Sequence, residues 1–511
     1  MTVPGAASGG DDPCDLGLVE VAARLRDGAL SSVALTEAAL ARAAQAQART
    51  NCFIALEPDA ALAAARRADQ RLAEARGSGG DGGSRTSTPP LLGVPLAHKD
   101  MFHQAGRRPT YGSRVAGVEA PSDGRAPADR SPADRSPAGR SENATLIARL
   151  QAAGAHPIGT LNMAEFALGA TGHNAAFGDC RNAWNPDHVS GGSSSGSGAA
   201  VACGATFASL GSDTGGSVRI PASANGVLGL KPTYGLLPRT GSMKLAPSID
   251  VLGPITRSAD DMACVLQAIA GADGRDPLAS RRPVPDYAAA LRRGIEGLRL
   301  GIPRNHFFDV ATAELRGAVE RCVAALEGAG ARVVEVDVPD VAAMSELSRA
   351  VVYSEATALH APWLRARGDR YTSQVRVRAS TGLGIPAPAY LAALQLRLPL
   401  LERFVGEVFS RCDALVSPTL PIPVPRRDET DVGSGEAMWA ILAKLVHCTA
   451  PFNYLGLPAI SVPAGLDARG LPMGVQYAAR PFAEGTLLRI AAVQEHLLPM
   501  PRLPSAAFAQ R

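Results

Sequence analysis

Behind Ser31 and Ser32, the run VALTEAALARAAQAQ sets its apolar residues at the three- and four-residue spacing of a helix, and either serine suits the capping position. A second pattern of this kind runs from about Pro58 to Arg76. LLGVPLAHKD is instead a short, nearly continuous apolar run, which predicts a strand closing on Lys99. From Glu142 a helix is expected to about Ala153, then a strand at HPIGTL, and after a serine- and glycine-rich loop a helical run over AAVACGATFASL. GLRLGIPR, ARVVEVDVP, DALVSPTLP and PAISVPAG read as further strands, the first two separated by a helix through LRGAVERCVAALEGAG. Strands alternating with helices predict an α/β fold with a mixed or parallel sheet covered by helices.

Three stretches fall outside this pattern. Residues 1–14 read as a disordered tail, and 77–90 as a flexible Gly/Ser/Pro loop. Residues 120–141 read as an inserted loop rich in Pro, Ser and Arg. Its core, 126–140, is APADR, SPADR, SPAGR, too polar and proline-rich to pack. No boundary divides the remainder, so 1–511 is expected to form a single domain.

Composition narrows the function. With 46% hydrophobic and 19% charged residues the chain is globular, and 51 basic against 48 acidic residues leave +3, with no basic tract for nucleic acid. No run reaches the roughly 18 apolar residues of a membrane span, and the start MTVPGAASGG lacks a signal-peptide pattern. Eight scattered cysteines show neither a disulfide framework nor metal-ligand spacing, so a cytoplasmic protein without metal or cofactor is expected. Only four of the 51 basic residues are lysines: Lys99, Lys231, Lys244 and Lys444. Unlike arginine, a lysine can surrender its proton at a working pH.

The chemistry concentrates between Ser190 and Arg219. Glycines 191, 192, 196 and 198 surround Ser193, Ser194 and Ser195 ahead of a helix start, and a second loop, SDTGGS, ends in Ser217. Neither loop matches the phosphate-cradling G-x-x-x-x-G-K-[ST], and Val201 stands where a dinucleotide fingerprint needs its last glycine. Residues 192–196 satisfy G-x-S-x-G, but the polar NAWNPDHV precedes them where a nucleophile elbow needs a strand. No S-x-x-K occurs, and no histidine lies within either serine loop to activate a hydroxyl.

From about residue 15 to 500 the chain resembles the amidase signature family of serine hydrolases. The segments that carry the likeness are LLGVPLAHKD, NMAEFALGATGHNAAFGDCRNAWN, SGGSSSGSGAAVACG and LGSDTGGSVRIPASANGVLGLKPTYGLLPRTGSMKLAPSIDVLGPITRSADDM. The resemblance implies that family's α/β fold, with a large mixed central sheet covered by helices on both faces. It also implies a Ser–cis-Ser–Lys triad: Ser217 as nucleophile, Ser193 as bridging serine with a cis bond to Gly192, and Lys99 as base. Ser193 and Ser217 lie 24 positions apart, as in the family, whereas the 94 positions from Lys99 to Ser193 are lengthened by the inserted loop. Ser195 stands where many members carry glycine.

The mechanism so implied is hydrolysis of an amide through an acyl-enzyme on Ser217. The backbone N–H groups of Thr214, Gly215, Gly216 and Ser217 form the oxyanion hole, Asp213 and Arg219 hold the nucleophile loop, and Ser194 orients Lys99. His98, on the strand, should face away from Lys99, and His173 is read as structural or as part of the rim. The expected partner is a small-molecule amide, and a homodimer is compatible with the sequence. One alternative is the glutaminase component of a tRNA-dependent amidotransferase. Against it, the D-G-x-x-Y-G run expected after the shared S-E-A is missing from SEATALHAPWLRARGDRYTSQ, so a stand-alone amidase is preferred. The other alternative, an inactive scaffold, is opposed by the complete Lys99, Ser193 and Ser217 set. The region from about Pro303 to His447 is expected to shape the pocket, with Met163, Phe166, Tyr353, Trp363 and Trp439 as candidate walls, although each also suits a plain core position.

Overall fold

A computed structural model describes residues 12–77, 88–115 and 142–503. The repeat at 126–140, with the whole of 120–141 and most of 1–14 and 77–90, lies outside the described residues. The N-terminal expectation needs correcting for residues 12–14. Pro13–Asp15 form a turn of 3-10 helix whose Cys14 is fully buried, and the Asp12 carboxylate caps it and pairs with Arg42.

Among the described residues, eleven strands form two sheets. β1 (Phe53–Leu56), β2 (Pro95–Lys99) and β3 (His156–Leu161) make the small one, in the order β1-β3-β2, with β2 parallel and β1 antiparallel to β3. The large sheet contains β4 (Ala208–Asp213), β5 (Leu228–Lys231), β6 (Val251–Thr256), β7 (Arg299–Pro303), β8 (Arg332–Val336), β9 (Ala414–Pro418), β10 (Ala459–Leu466) and β11 (Pro472–Ala479). Its order is β4-β6-β5-β10-β11-β9-β7-β8. Pairing is parallel around β7 and antiparallel elsewhere, so the sheet is mixed. Every residue of β4, β5, β6, β9 and β11 is buried. Because successive side chains point to opposite faces, both faces must be covered.

The predicted elements form close to where the hydrophobic pattern put them. The first helix after the serines is Ser32–Thr50, capped by the Ser31 hydroxyl accepting from the Ala34 N–H, and the second is Pro58–Gly77. One expectation fails: AAVACGATFASL is not a continuous helix. The helix Ser195–Ala202 stops short of Gly204, whose φ of +69° terminates it, and the following ASLGSD pairs with β6 as β4. An apolar run of that length fits a buried strand as well as a buried helix, and pairing with β6 decides between them.

β4 is an edge of the large sheet, and there the small sheet meets it. The Ala97 N–H donates to the Thr206 hydroxyl at 2.9 Å, and the Leu210 N–H donates to His98 Nδ1 at 3.1 Å. These bonds bring the C-terminal ends of β2 and β4 together, and with them Lys99 and Ser212.

Candidate active site

Lys99 ends a strand in which all five residues are buried, and it is itself fully enclosed. Its Nζ donates to the Ser193 hydroxyl at 2.7 Å and to the Ser212 hydroxyl at 2.8 Å. Burial penalises the ammonium and lowers the pKa from 10.5 to about 7, against the opposing pull of Asp213 and Asp250. His98 faces the other way, as alternation requires, and burial lowers it to about 3, leaving a neutral ring. Asp100 does not pair with Lys99. Its carboxylate takes the Thr110 N–H at 2.8 Å and lies 3.6 Å from Arg107.

The first serine loop sits directly before the helix Ser195–Ala202, and the peptide bond between Gly192 and Ser193 is cis. Ser193, Ser194 and Ser195 have no exposed surface. The contact with Lys99 expected of Ser194 is made by Ser212 instead. Ser194 lies one step further out, its hydroxyl 3.3 Å from both the N–H and the carbonyl of Ser212. Ser212 escapes the sequence reading because nothing marks it within S-D-T-G-G-S. The approach of β2 to β4 brings it to Lys99.

The second loop is built around Asp213. Its carboxylate accepts the N–H groups of Gly216 at 2.8 Å and Val218 at 3.1 Å, and binds Arg219 through both Nε (3.0 Å) and Nη2 (2.8 Å). Arg219 continues to Gln476 and Asn453, both at 2.6 Å, and Asn453 returns a bond to the Asp213 carbonyl at 2.9 Å. Burial alone would raise the Asp213 pKa, but the Arg219 guanidinium reverses this and holds it well below the usual carboxylate range. Sequence reading found Asp213 and Arg219 but not Asn453 or Gln476, which lie more than 230 positions along the chain.

This arrangement corrects the reading of Gly216, whose N–H is spent on Asp213. Its φ of +127° and the Thr449 hydroxyl, which a Cβ would approach to 2.4 Å, explain why glycine stands there. Thr214, Gly215 and Ser217, by contrast, line a cavity of about 470 Å³, with Ser217 partly exposed at its edge. The Ser217 carbonyl accepts the Ser194 N–H at 3.2 Å, which ties the two serine loops together.

Of the candidate walls, Tyr353 and Trp439 line this cavity, their rings edge-to-face at 5.3 Å and 87°. Phe166 and Trp363 instead pack together at 5.4 Å in a buried aromatic cluster with Tyr371 and His360, and Met163 is buried in the same core. His173 is tied to Asp179 at 2.9 Å and Thr430 at 2.8 Å, a structural position. Among the described residues, no helix is long and apolar enough to cross a membrane.

The Asp213–Arg219 pair is fully buried, so removing one partner strands a charge. Arg219→Met is expected to lower stability by about 3–5 kcal/mol in denaturant unfolding, and lysine at 219, which lacks the planar fork, to recover little of it. An unchanged unfolding midpoint would mean that Asn453 and the backbone hold Asp213 unaided.

Residues 34–126 and 134–488 match the family model described as Amidase. The chain belongs to the amidase family. As such it is an amide-hydrolysing enzyme. The amidase is 37% identical over 517 residues to the A component of the glutamyl-tRNA(Gln) amidotransferase of Anaeromyxobacter sp. (strain K), spanning 96% of this chain and 98% of that relative. Among solved structures, it superposes with a TM-score of 0.83 on a chain from a vestigial protein complex bearing on the origins of an s-triazine catabolic enzyme. The two share 31% identity, over 96% of this chain and all of the other. The peptide amidase PAM, bound to the competitive inhibitor chymostatin, gives a TM-score of 0.79 at 29% identity, over 96% and 99% of the two chains.

Proposed function

We propose that this amidase works through an acyl-enzyme on Ser217, with Lys99 as base acting through Ser193. The observation that carries the reading is the enclosed Lys99, whose amine is lowered to about 7 and lies 2.7 Å from the Ser193 hydroxyl. A neutral amine there takes the Ser193 proton as Ser193 takes that of Ser217, and the Ser217 oxygen attacks the carbonyl carbon. The negative charge developing on the carbonyl oxygen is met by the N–H groups of Thr214, Gly215 and Ser217, each donor worth about 3 kcal/mol in comparable sites. Collapse breaks the C–N bond, Ser193 returns a proton to the leaving nitrogen, and water then releases the carboxylic acid. Asp213 and Arg219 hold the loop in register from behind, without touching the substrate. The test is covalent capture of Ser217 by a fluorophosphonate, together with release of acid and amine from an amide.

Ser212 has a subsidiary part, since its oxygen accepts from the Lys99 amine at 2.8 Å and so favours the charged form. Ser212→Ala should leave the enzyme active and lower the pKa governing the kcat/KM profile by up to about 1 unit, the worth of one hydrogen bond. A profile unmoved by the substitution would remove Ser212 from the tuning of Lys99.

A second reading follows from the amidotransferase relative, namely that the chain hydrolyses glutamine and passes ammonia to partner proteins. It predicts that glutamine is the preferred amide and that those partners raise the rate.

A further inference from the structure

The space on the two sides of Ser217 is unequal. The cavity of about 470 Å³ reaches Ser217, Thr214 and Gly215 but not Ser193 or Lys99, both of which have no exposed surface. Around Ser193 the backbone is closely packed. The Ser193 carbonyl accepts the Ala164 N–H at 3.1 Å, and the next residue, Ser194, donates its N–H to the Ser217 carbonyl at 3.2 Å. The leaving nitrogen must come to Ser193 for its proton, and so departs on the crowded side. The acyl group is left to the roomy side.

That side is lined by the perpendicular rings of Tyr353 and Trp439 and by Val352, Leu442 and Ile220. Glu346 is the one acid among the described residues lining it. It stands at the outer rim with 76% of its side chain exposed and is already 3.7 Å from Arg349. An α-ammonium drawn into this cavity would lose its water without gaining a buried carboxylate. Arg378, which also lines the cavity, donates to the Leu168 carbonyl at 2.7 Å and to Gln374 at 3.1 Å, while its buried Nε has no partner among the described residues, so an amide that carries a carboxylate is the rival occupant to be tested.

Resting on the Ser217 reading above, we infer that the substrate is a primary carboxamide with a bulky aromatic acyl group, seated against Tyr353 and Trp439, and that ammonia is the amine released. The acyl carbon exchanges its bond to nitrogen for one to the Ser217 oxygen, and the –NH2 group leaves as ammonia with the proton from Ser193. Water then replaces the Ser217 oxygen, giving the aromatic carboxylic acid and restoring the serine.

The test compares kcat/KM of the full-length protein for naphthamide, N-methyl naphthamide, propionamide, glutaramate and glutamine, with fluorophosphonate labelling of Ser217 followed by intact mass in the same preparation. Naphthamide should exceed propionamide by about 100-fold from the buried ring, and N-methylation should cost at least about tenfold from misplacement at Ser193. Trp439→Ala should shrink the naphthamide-to-propionamide ratio by about tenfold, while Trp439→Phe keeps most of it. A labelled enzyme that treats naphthamide and propionamide alike overturns the inference and leaves the Ser217 reading standing. So does one that prefers glutaramate or glutamine, which would assign specificity to Arg378 or to the glutaminase reading. A preparation in which Ser217 takes no label overturns both.

Discussion

Exposure of the wild-type protein to a small fluorophosphonate should add one covalent adduct by intact mass, and Ser217→Ala should add none. The reason is positional. Ser217 is partly exposed at the edge of the cavity, while Ser193, Ser194 and Ser195 have no exposed surface. An activated hydroxyl must be both reachable by the electrophile and connected to a base; Ser217 is reachable, and in the mechanism proposed above Ser193 supplies the connection. Amide hydrolysis by Ser217→Ala should fall by about 10⁴- to 10⁶-fold, the loss seen when one member of a serine-hydrolase constellation is removed. An adduct that survives the substitution would move the nucleophile to Ser193 or Ser194.

The second large effect concerns Lys99. With burial lowering its amine to about 7, roughly a tenth is neutral at pH 6 and about nine-tenths at pH 8. If the neutral form is the base, kcat/KM rises across this interval and levels above about pH 8. Lys99→Ala should lose about 10³- to 10⁴-fold, and Lys99→Arg should be as inactive, since a guanidinium keeps its proton throughout. Lys231 supplies a needed control. It is also fully buried and lowered to about 7, by burial and by Arg219, but its Nζ bonds the Pro232 carbonyl at 3.1 Å. Lys231→Met should keep the rising limb of the profile. A flat wild-type profile, or a limb that vanishes with Lys231 instead of Lys99, would sink the assignment.

Some of the site could be read without coordinates because its parts lie in compact, unusual strings. SGGSSSGSG and SDTGGS are short, and a chain that uses arginine almost everywhere leaves Lys99 conspicuous at the end of an apolar run. The sequence also marks the helices Ser32–Thr50 and Pro58–Gly77 through local capping and apolar spacing. Assignments that depend on a partner far along the chain came out differently. Ser212 and Ser194 exchange places beside Lys99 because β2 runs alongside β4. Gly216 leaves the oxyanion donors because the Asp213 carboxylate turns beneath its own loop. Phe166, Trp363 and Met163 lie in the core away from the cavity, while Trp439 and the largely buried Tyr353 line it, a choice that residue identity does not contain.

By itself, then, the sequence determined the α/β class, the two serine loops and a rare lysine at the end of an apolar run, since these follow from local periodicity, turn chemistry and residue type. Tertiary structure alone decided that Lys99 is enclosed and so able to lose its proton. It also decided that Arg219 reaches Gln476 and Asn453, and that the cavity reaches Ser217 but not Ser193. Each of these is a matter of burial or of contact between distant segments, and exclusion of water from a charge is a property of the packed surroundings rather than of the residue that carries it.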